Sequence, residues 1–377
     1  MQSLDMNNIL LKTICPNNEL IADQTGNPSV MVYIPKFRMN HVIGGGSDKV
    51  HPAFIVNGKE IDGFYISKYQ NINVDGRGYS LPGMIPSNDA GFAVSMEKCV
   101  SKGPGWHLTT VQEWGAIALW CKKNGHLPHG NTDYGKDRRE SMYKAIPVTS
   151  VDGGVGQLLG GVGPIPFNPD TTVVHTGTGP VAWSHDNTIG GIWDLVGNLS
   201  EWVGGFRTVY GEIQVMPNND GADLNNSQAP DSSAWRAIDA ATGEYIVPNG
   251  NGTTQGSVKV DWYEDVVVWG SKWFITTEVK NRKNEVRRCD LSFVQCDESI
   301  SPEAKELLFA FGLIADDPAY DYMDQYCYLN NGLPEGTMYR GGYFGSGSFA
   351  GVFCWSNSFE RTYTSVNHSF RASYVPL

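Results

Sequence analysis

The side chains best able to bind a metal or form a covalent bond are seven cysteines: Cys15, Cys99, Cys121, Cys289, Cys296, Cys327 and Cys354. Their number is odd, no two form a C-x-x-C pair and no spacing repeats. Neither a disulfide framework nor a zinc site is therefore expected, and free thiols are. His126 and His129 stand in a Pro/Gly loop with no cysteine or carboxylate partner nearby in sequence, and they read as solvated loop histidines. No catalytic residue is assigned. Recognition chemistry is better represented. Arg340 to Leu377 holds nine aromatic residues and twelve Gly or Ser among 38, with no Lys, Met, Gln or Asp. A core strand would be rich in Leu, Ile and Val, and a solvated tail in Lys, Glu and Pro. Rigid rings interleaved with small polar residues are instead the composition of an evolved paratope: rings supply contact area and small residues supply adaptable hydrogen bonds.

A chain of 377 residues, 41% hydrophobic and 18% charged, can bury the core needed to hold such a surface. Forty-four glycines and eleven tryptophans predict a loop-rich fold in which Trp fills the space between tight backbone paths. The net charge is −12 and no basic run exceeds the pair Arg287-Arg288, so nucleic acid is not an expected partner, nor are acidic partners in general. The apolar run near the N-terminus spans only Ile9 to Leu11, and no segment approaches the ~20 apolar residues of a membrane span. Neither a leader nor membrane insertion is predicted.

Residues 1–28 are polar with little periodicity and read as an N-terminal arm or attachment segment. MVYIPKF (31–37) and GFYISKY (63–69) alternate like strands. A helix is expected within 87–103. A firmer one follows, where Thr110 and Glu113 form a capping box ahead of a core stripe of Trp114, Ile117, Ala118 and Cys121. Residues 125–190 read as a long ordered loop, 258–279 as a strand pair, and 301–312 as a helix capped by Ser301 with Pro302 in its first turn.

Four landmarks stand in order: MVYIPKF with GFYISKY, GWHLTTVQEW (105–114), GIWDLVGNLSEWV (191–203), and RGGYF with SFRASY (340–344 and 369–374). This order resembles the formylglycine-generating-enzyme type of the C-type-lectin fold, over roughly residues 29–377. The resemblance implies an α+β, loop-rich fold with two or more helices packed on small antiparallel sheets. It also implies an insertion at about 213–335 and a variable ligand-binding segment at 340–377. Within that superfamily the chain is most similar to the variable proteins of diversity-generating retroelements, including a phage tropism determinant. In such proteins mutation at template adenines diversifies the terminal segment, so its variable positions exclude Lys, Met, Gln, Glu and Trp. Between Tyr343 and Phe370 only Trp355 and Glu360 fall outside the permitted set.

Several expectations follow from that likeness. Tyr343, Phe349, Trp355, Phe359 and Tyr363 should be exposed anchors, because interface energy concentrates in a few aromatic and Arg residues. Gly345, Ser346, Ser348, Ser356, Asn357 and His368 should contact the ligand around them. Arg340, Gly341 and Gly342 before the segment, with a buried Phe370 and a paired Arg371 after it, should fix the backbone. The enzymes of this fold hold copper on a cysteine pair whose positions are Ser346 and Gly351 here, so no copper and no thiol oxidation are expected. The same relatives hold a structural calcium, which carries over to Asp194, the carbonyls of Gly197 and Leu199, and Glu201. Two carboxylates with carbonyls between them suit a hard cation taking about six to eight oxygens. Carboxylates that merely cap a tight turn would need no ion. The expected function is binding of a cell-surface protein or glycan, displayed on a phage tail or by a bacterial host. The alternatives are a redox or metal enzyme of the same fold, or a calcium-dependent sugar-binding lectin. Trp355-Ser356-Asn357 bears a faint likeness to the WND motif of such lectins, but their EPN-type loop is missing.

Overall fold

The computed structural model describes residues 2–88, 90–142, 145–148, 172–264, 271–317, 319–322 and 325–376, with side chains from residue 6 onward. The parts of the expected loop over 149–171 and of the expected strand pair over 265–270 lie outside the described residues.

The fold is α+β, and among the described residues it has four longer helices: α1 (Gln2–Ile14), α2 (Phe92–Val100), α3 (Val111–Lys123) and α4 (Pro302–Ala310). One antiparallel sheet uses β1 (Asn18–Ala22), β2 (Pro28–Pro35), β3 (Gly63–Ser67), β4 (Trp106–Leu108) and β14 (Ala372–Tyr374). Its order is β1-β2-β3-β14-β4, so the last strand lies between two early ones. The larger sheet is built on β5 (Ser200–Val209), β6 (Glu212–Val215), β7 (Lys259–Tyr263), β8 (Lys272–Thr276), β9 (Arg287–Asp290), β10 (Tyr326–Leu329), β11 (Gly336–Gly341) and β12 (Gly351–Phe359). Their order is β9-β10-β12-β11-β5-β6-β7-β8, and β13 (His368–Phe370) pairs in parallel with β5.

Within residues 1–28, read as an arm or attachment segment, β1 pairs with β2 along its whole length, from Asn18 opposite Val32 to Ala22 opposite Pro28. Asn8 fastens α1 to that strand through a reciprocal pair of hydrogen bonds with Leu20, 3.1 and 2.5 Å long. Polar composition hid the strand, since β1 is only half-buried over four of its five residues. Residues 213–335 likewise carry β6 to β10, which extend both ends of the larger sheet.

The Thr110–Glu113 capping box forms as expected. α3 exceeds its predicted stripe: Val111, Ala116 and Leu119 are as buried as Trp114, Ile117, Ala118 and Cys121. A helix apolar all round belongs at the centre of a domain. There the Trp114 indole donates to the Val352 carbonyl at 2.7 Å, tying the helix to the sheet that carries the C-terminal segment.

Candidate ligand-binding cleft

Strand geometry decides which C-terminal side chains can meet a ligand, because successive residues point to opposite faces of a sheet. Along β12, Cys354 and Ser356 face a cleft, whereas Phe353 and Trp355 join the main core. Neighbouring strands add Arg288 from β9, Tyr328 from β10, Tyr339 from β11, Ser200 from β5 and His368 from β13. The loops at the two ends of β12 complete the walls with Tyr343, Gly345, Ser346 and Phe349 before it and Phe359, Tyr363, Ser365 and Asn367 after it. The enclosed volume is about 490 Å³, within the usual range for a ligand pocket.

Ring packing makes the walls stiff. Phe359 and Tyr363 stack with centroids 3.7 Å apart, and Tyr339 lies parallel to Phe359 at 6.2 Å. The His368 ring sits 4.3 Å from Tyr339, 4.9 Å from Trp202 and 5.5 Å from Tyr363. It is 4% exposed, and its Nδ1 has no hydrogen-bond partner. Burial pushes its pKa down to about 3, so it is neutral at ordinary pH. Opposite, Phe349 meets Tyr326 edge-on at 4.6 Å and carries the Arg288 guanidinium 4.6 Å from its ring centre. Ser346 Oγ accepts from the Tyr343 amide at 2.9 Å, and the Ser356 and Ser358 hydroxyls hydrogen-bond at 2.8 Å.

Eight residues expected to contact ligand therefore share one cleft: Tyr343, Gly345, Ser346, Phe349, Ser356, Phe359, Tyr363 and His368. Three do not line it. Trp355 is fully buried rather than exposed, and its indole donates to the Leu313 carbonyl at 3.2 Å. Asn357, also on the reverse of the strand, accepts from Thr208 Oγ1 at 2.7 Å and donates to the Gly336 carbonyl at 2.8 Å. Ser348 lies in the short turn Gly347–Phe349, half-buried but outside the cleft lining. The four remaining anchors are half-buried walls rather than protruding side chains. Sequence reasoning missed Arg288, Tyr328 and Tyr339. The alternation of Tyr326 and Tyr328 with Cys327 and Leu329 is a period-2 pattern that could have placed Tyr328 on a sheet face.

The backbone around the cleft is locked from both sides. Arg340, fully buried, donates to the Phe311 and Gly312 carbonyls. Gly341 and Gly342 take φ of +87° and +79°, and a Cβ on them would strike the Leu195 carbonyl and Ala350 respectively. Phe370 is fully buried. Arg371 grips both carboxylate oxygens of Glu201, at 2.9 and 2.7 Å, and donates to the carbonyls of Ser67 and Trp193.

The same Glu201 was expected to hold calcium. Asp194, Gly197, Leu199 and Glu201 do lie in one knot, but the Leu199 carbonyl and both Glu201 carboxylate oxygens are already engaged. The Gln70 side-chain amide occupies the middle: its Nε2 donates to the Leu199 carbonyl at 2.7 Å and to Glu201 Oε1 at 3.1 Å, and stands 3.4 Å from the Asp194 carbonyl. Gln70 Oε1 accepts from the Asn198 amide at 2.9 Å, which fixes that orientation. The Asp194 carboxylate turns away to accept from the Gly177 amide at 2.8 Å, leaving Oδ1 buried without a partner. Burial raises its pKa to about 6, against the opposing pull of that hydrogen bond and of Arg371. With a guanidinium on Glu201 and an amide in the centre, these residues do not fit a calcium ion.

At the copper-ligand positions, Ser346 is a half-buried turn residue, and a side chain at Gly351 would collide with Gln325. His126 and His129 are half-buried rather than solvated: the His126 ring bonds the Ser184 carbonyl at 3.0 Å, and His129 lies 3.5 Å from Glu140. Among the described residues no helix is long and apolar enough to cross a membrane. Comparisons with protein-family models and with curated proteins return no match for this chain.

Proposed function

We propose that this chain is a binding protein of the C-type-lectin fold, formylglycine-generating-enzyme type, and that the cleft over β12 is its diversified binding surface. The observation that carries the reading is the contrast between the cleft and its surroundings. Eight residues of one compositionally unusual segment converge on a single cavity, while Arg340, Phe370 and Arg371 at its ends are buried and locked. A surface that must accept many sequences needs a backbone fixed by residues outside it. Trp355, one of two residues outside the permitted codon set, belongs to that fixed frame. The partner is a surface molecule of a cell, and the carrier is a phage particle or its bacterial host. Met6, Ile9, Leu10 and Ile14 form an exposed apolar stripe on α1, between 59% and 68% accessible, which supports attachment through this end.

Sequencing sister copies of the gene tests the reading. Substitutions should concentrate at Tyr343, Ser346, Phe349, Ser356, Phe359, Tyr363 and His368, and should spare Phe353 and Trp355. Variation spread evenly over cleft and core positions of the segment would overturn it.

A further inference from the structure

The cleft differs in charge from the rest of this acidic molecule. Among the described residues its lining contains no Asp, Glu or Lys. Other cavities do not share this: the one beside α1 includes Asp186, the one against α2 includes Glu97 and Asp223, and the one beneath α4 includes Glu303 and Glu306. At the cleft rim stands Arg288, exposed and, among the described residues, without an ion pair. Its nearest acidic neighbour in sequence, Asp290, directs its Oδ1 to the Ser292 amide at 2.8 Å and the Ser292 hydroxyl at 2.6 Å. The Arg288 guanidinium carbon lies over the Phe349 ring, 4.6 Å from the ring centre, and 6.0 Å from that of Tyr328. A guanidinium presents five N–H donors in a planar fork that can match a carboxylate bidentately.

Resting on the reading of this cleft as the binding surface, we infer that it takes a segment of a partner protein. In that segment an Asp or Glu lies beside an apolar or aromatic side chain. The carboxylate meets Arg288 at the rim, and the neighbouring side chain enters between Phe349 and the Phe359–Tyr363 stack. A net charge of −12 argued against acidic partners, but recognition depends on the local lining, where among the described residues the only charged side chains are Arg288 and Arg340. A peptide suits the walls better than a sugar. Sugars pack on open ring faces, whereas Phe349 is covered by Arg288 and Phe359 lies 3.7 Å from Tyr363.

The test uses a displayed random-heptapeptide library panned on the purified full chain, on Arg288→Gln and on Ser365→Trp, which fills the cleft from an exposed loop. A glycan array of neutral and carboxylated sugars runs beside it. Melting curves establish that both variants fold. Peptides selected on the wild type should carry Asp or Glu next to an aromatic or large apolar residue. A synthetic winner should lose about tenfold in affinity when its acid becomes the amide, and Arg288→Gln should erase that difference. Winners without an acid, or an acid preference that survives in Arg288→Gln, would overturn the inference and leave the cleft reading standing. Winners that bind Ser365→Trp as tightly as the wild type would overturn the cleft itself. Binding to carboxylated sugars with no peptide enriched would overturn the peptide class, and no binding in either format counts against the inference.

Discussion

Replacing Glu201 by Gln tests the buried knot beneath the cleft. Glu201 is 1% exposed and Arg371 fully buried, and the pair is bidentate at 2.9 and 2.7 Å. The substitution keeps the volume and one acceptor but leaves a guanidinium in the interior without its counter-charge. Breaking a buried pair in this way costs about 3–5 kcal/mol, much of it the penalty of the stranded charge. Gln retains one hydrogen bond and Arg371 keeps its two carbonyl partners, so the lower end, about 3 kcal/mol, applies. In a domain of this size 1 kcal/mol shifts Tm by roughly 2 °C, which puts the expected fall near 6 °C. Differential scanning calorimetry should be run with millimolar calcium and again with chelator. The geometry predicts the same wild-type Tm in both buffers and the same fall for Glu201→Gln in both, because Gln70 rather than an ion fills the centre. A wild-type Tm that rises with calcium and a rise lost in Glu201→Gln would refute this reasoning, since a ligand bound only to the folded state must stabilise it.

Trp355→Ala should lose about 3–5 kcal/mol in urea titrations, as expected for a fully buried indole, while Tyr363→Ala loses about 1 kcal/mol; equal losses would place both in the same environment. Asp194 has its folded pKa raised from 3.8 to about 6 by burial, so its contribution favours folding below the unfolded value and is lost as pH rises through 6. Asp194→Asn should therefore gain on the wild type by up to about 3 kcal/mol between pH 4 and 8, and a difference that stays flat across that window rules the account out. Binding of a selected peptide should not change between pH 5 and 8 on account of His368, whose pKa lies near 3; a transition near pH 6 that disappears in His368→Phe would contradict its neutral state.

Where local pattern and packing agree, the sequence is legible. The capping box before Trp114, the Ser301 cap with Pro302, strands within 31–37 and 63–69, and the buried Phe370 with its paired Arg371 are all present. The composition of the terminal segment also locates the cleft. It does not say which way each side chain points. Trp355 reads as an anchor and Asn357 as a polar contact when the segment is taken as a surface throughout, whereas a pleated strand turns alternate residues inward. The opposite wall was hidden for another reason: Arg288 and Tyr328 are brought to β12 only by long-range pairing of β9 and β10. Gln70 carries no local signal at all. It fills the knot by reaching more than a hundred residues along the chain, and no periodicity encodes such a contact.

The place of β14 has a consequence for synthesis. It lies between β3 and β4, so a ribosome must release Ala372–Tyr374 before the first sheet can close. β12 and β13 likewise reach the larger sheet late, and such long-range pairing slows folding. A nascent chain stopped by a nonsense codon or frameshift within 343–368 lacks the strand that joins β3 to β4, as well as the Arg371 that neutralises Glu201. Such a chain exposes an incomplete core to the proteases of the cell. A chain cut short within the segment thus loses the frame of the cleft together with the cleft itself.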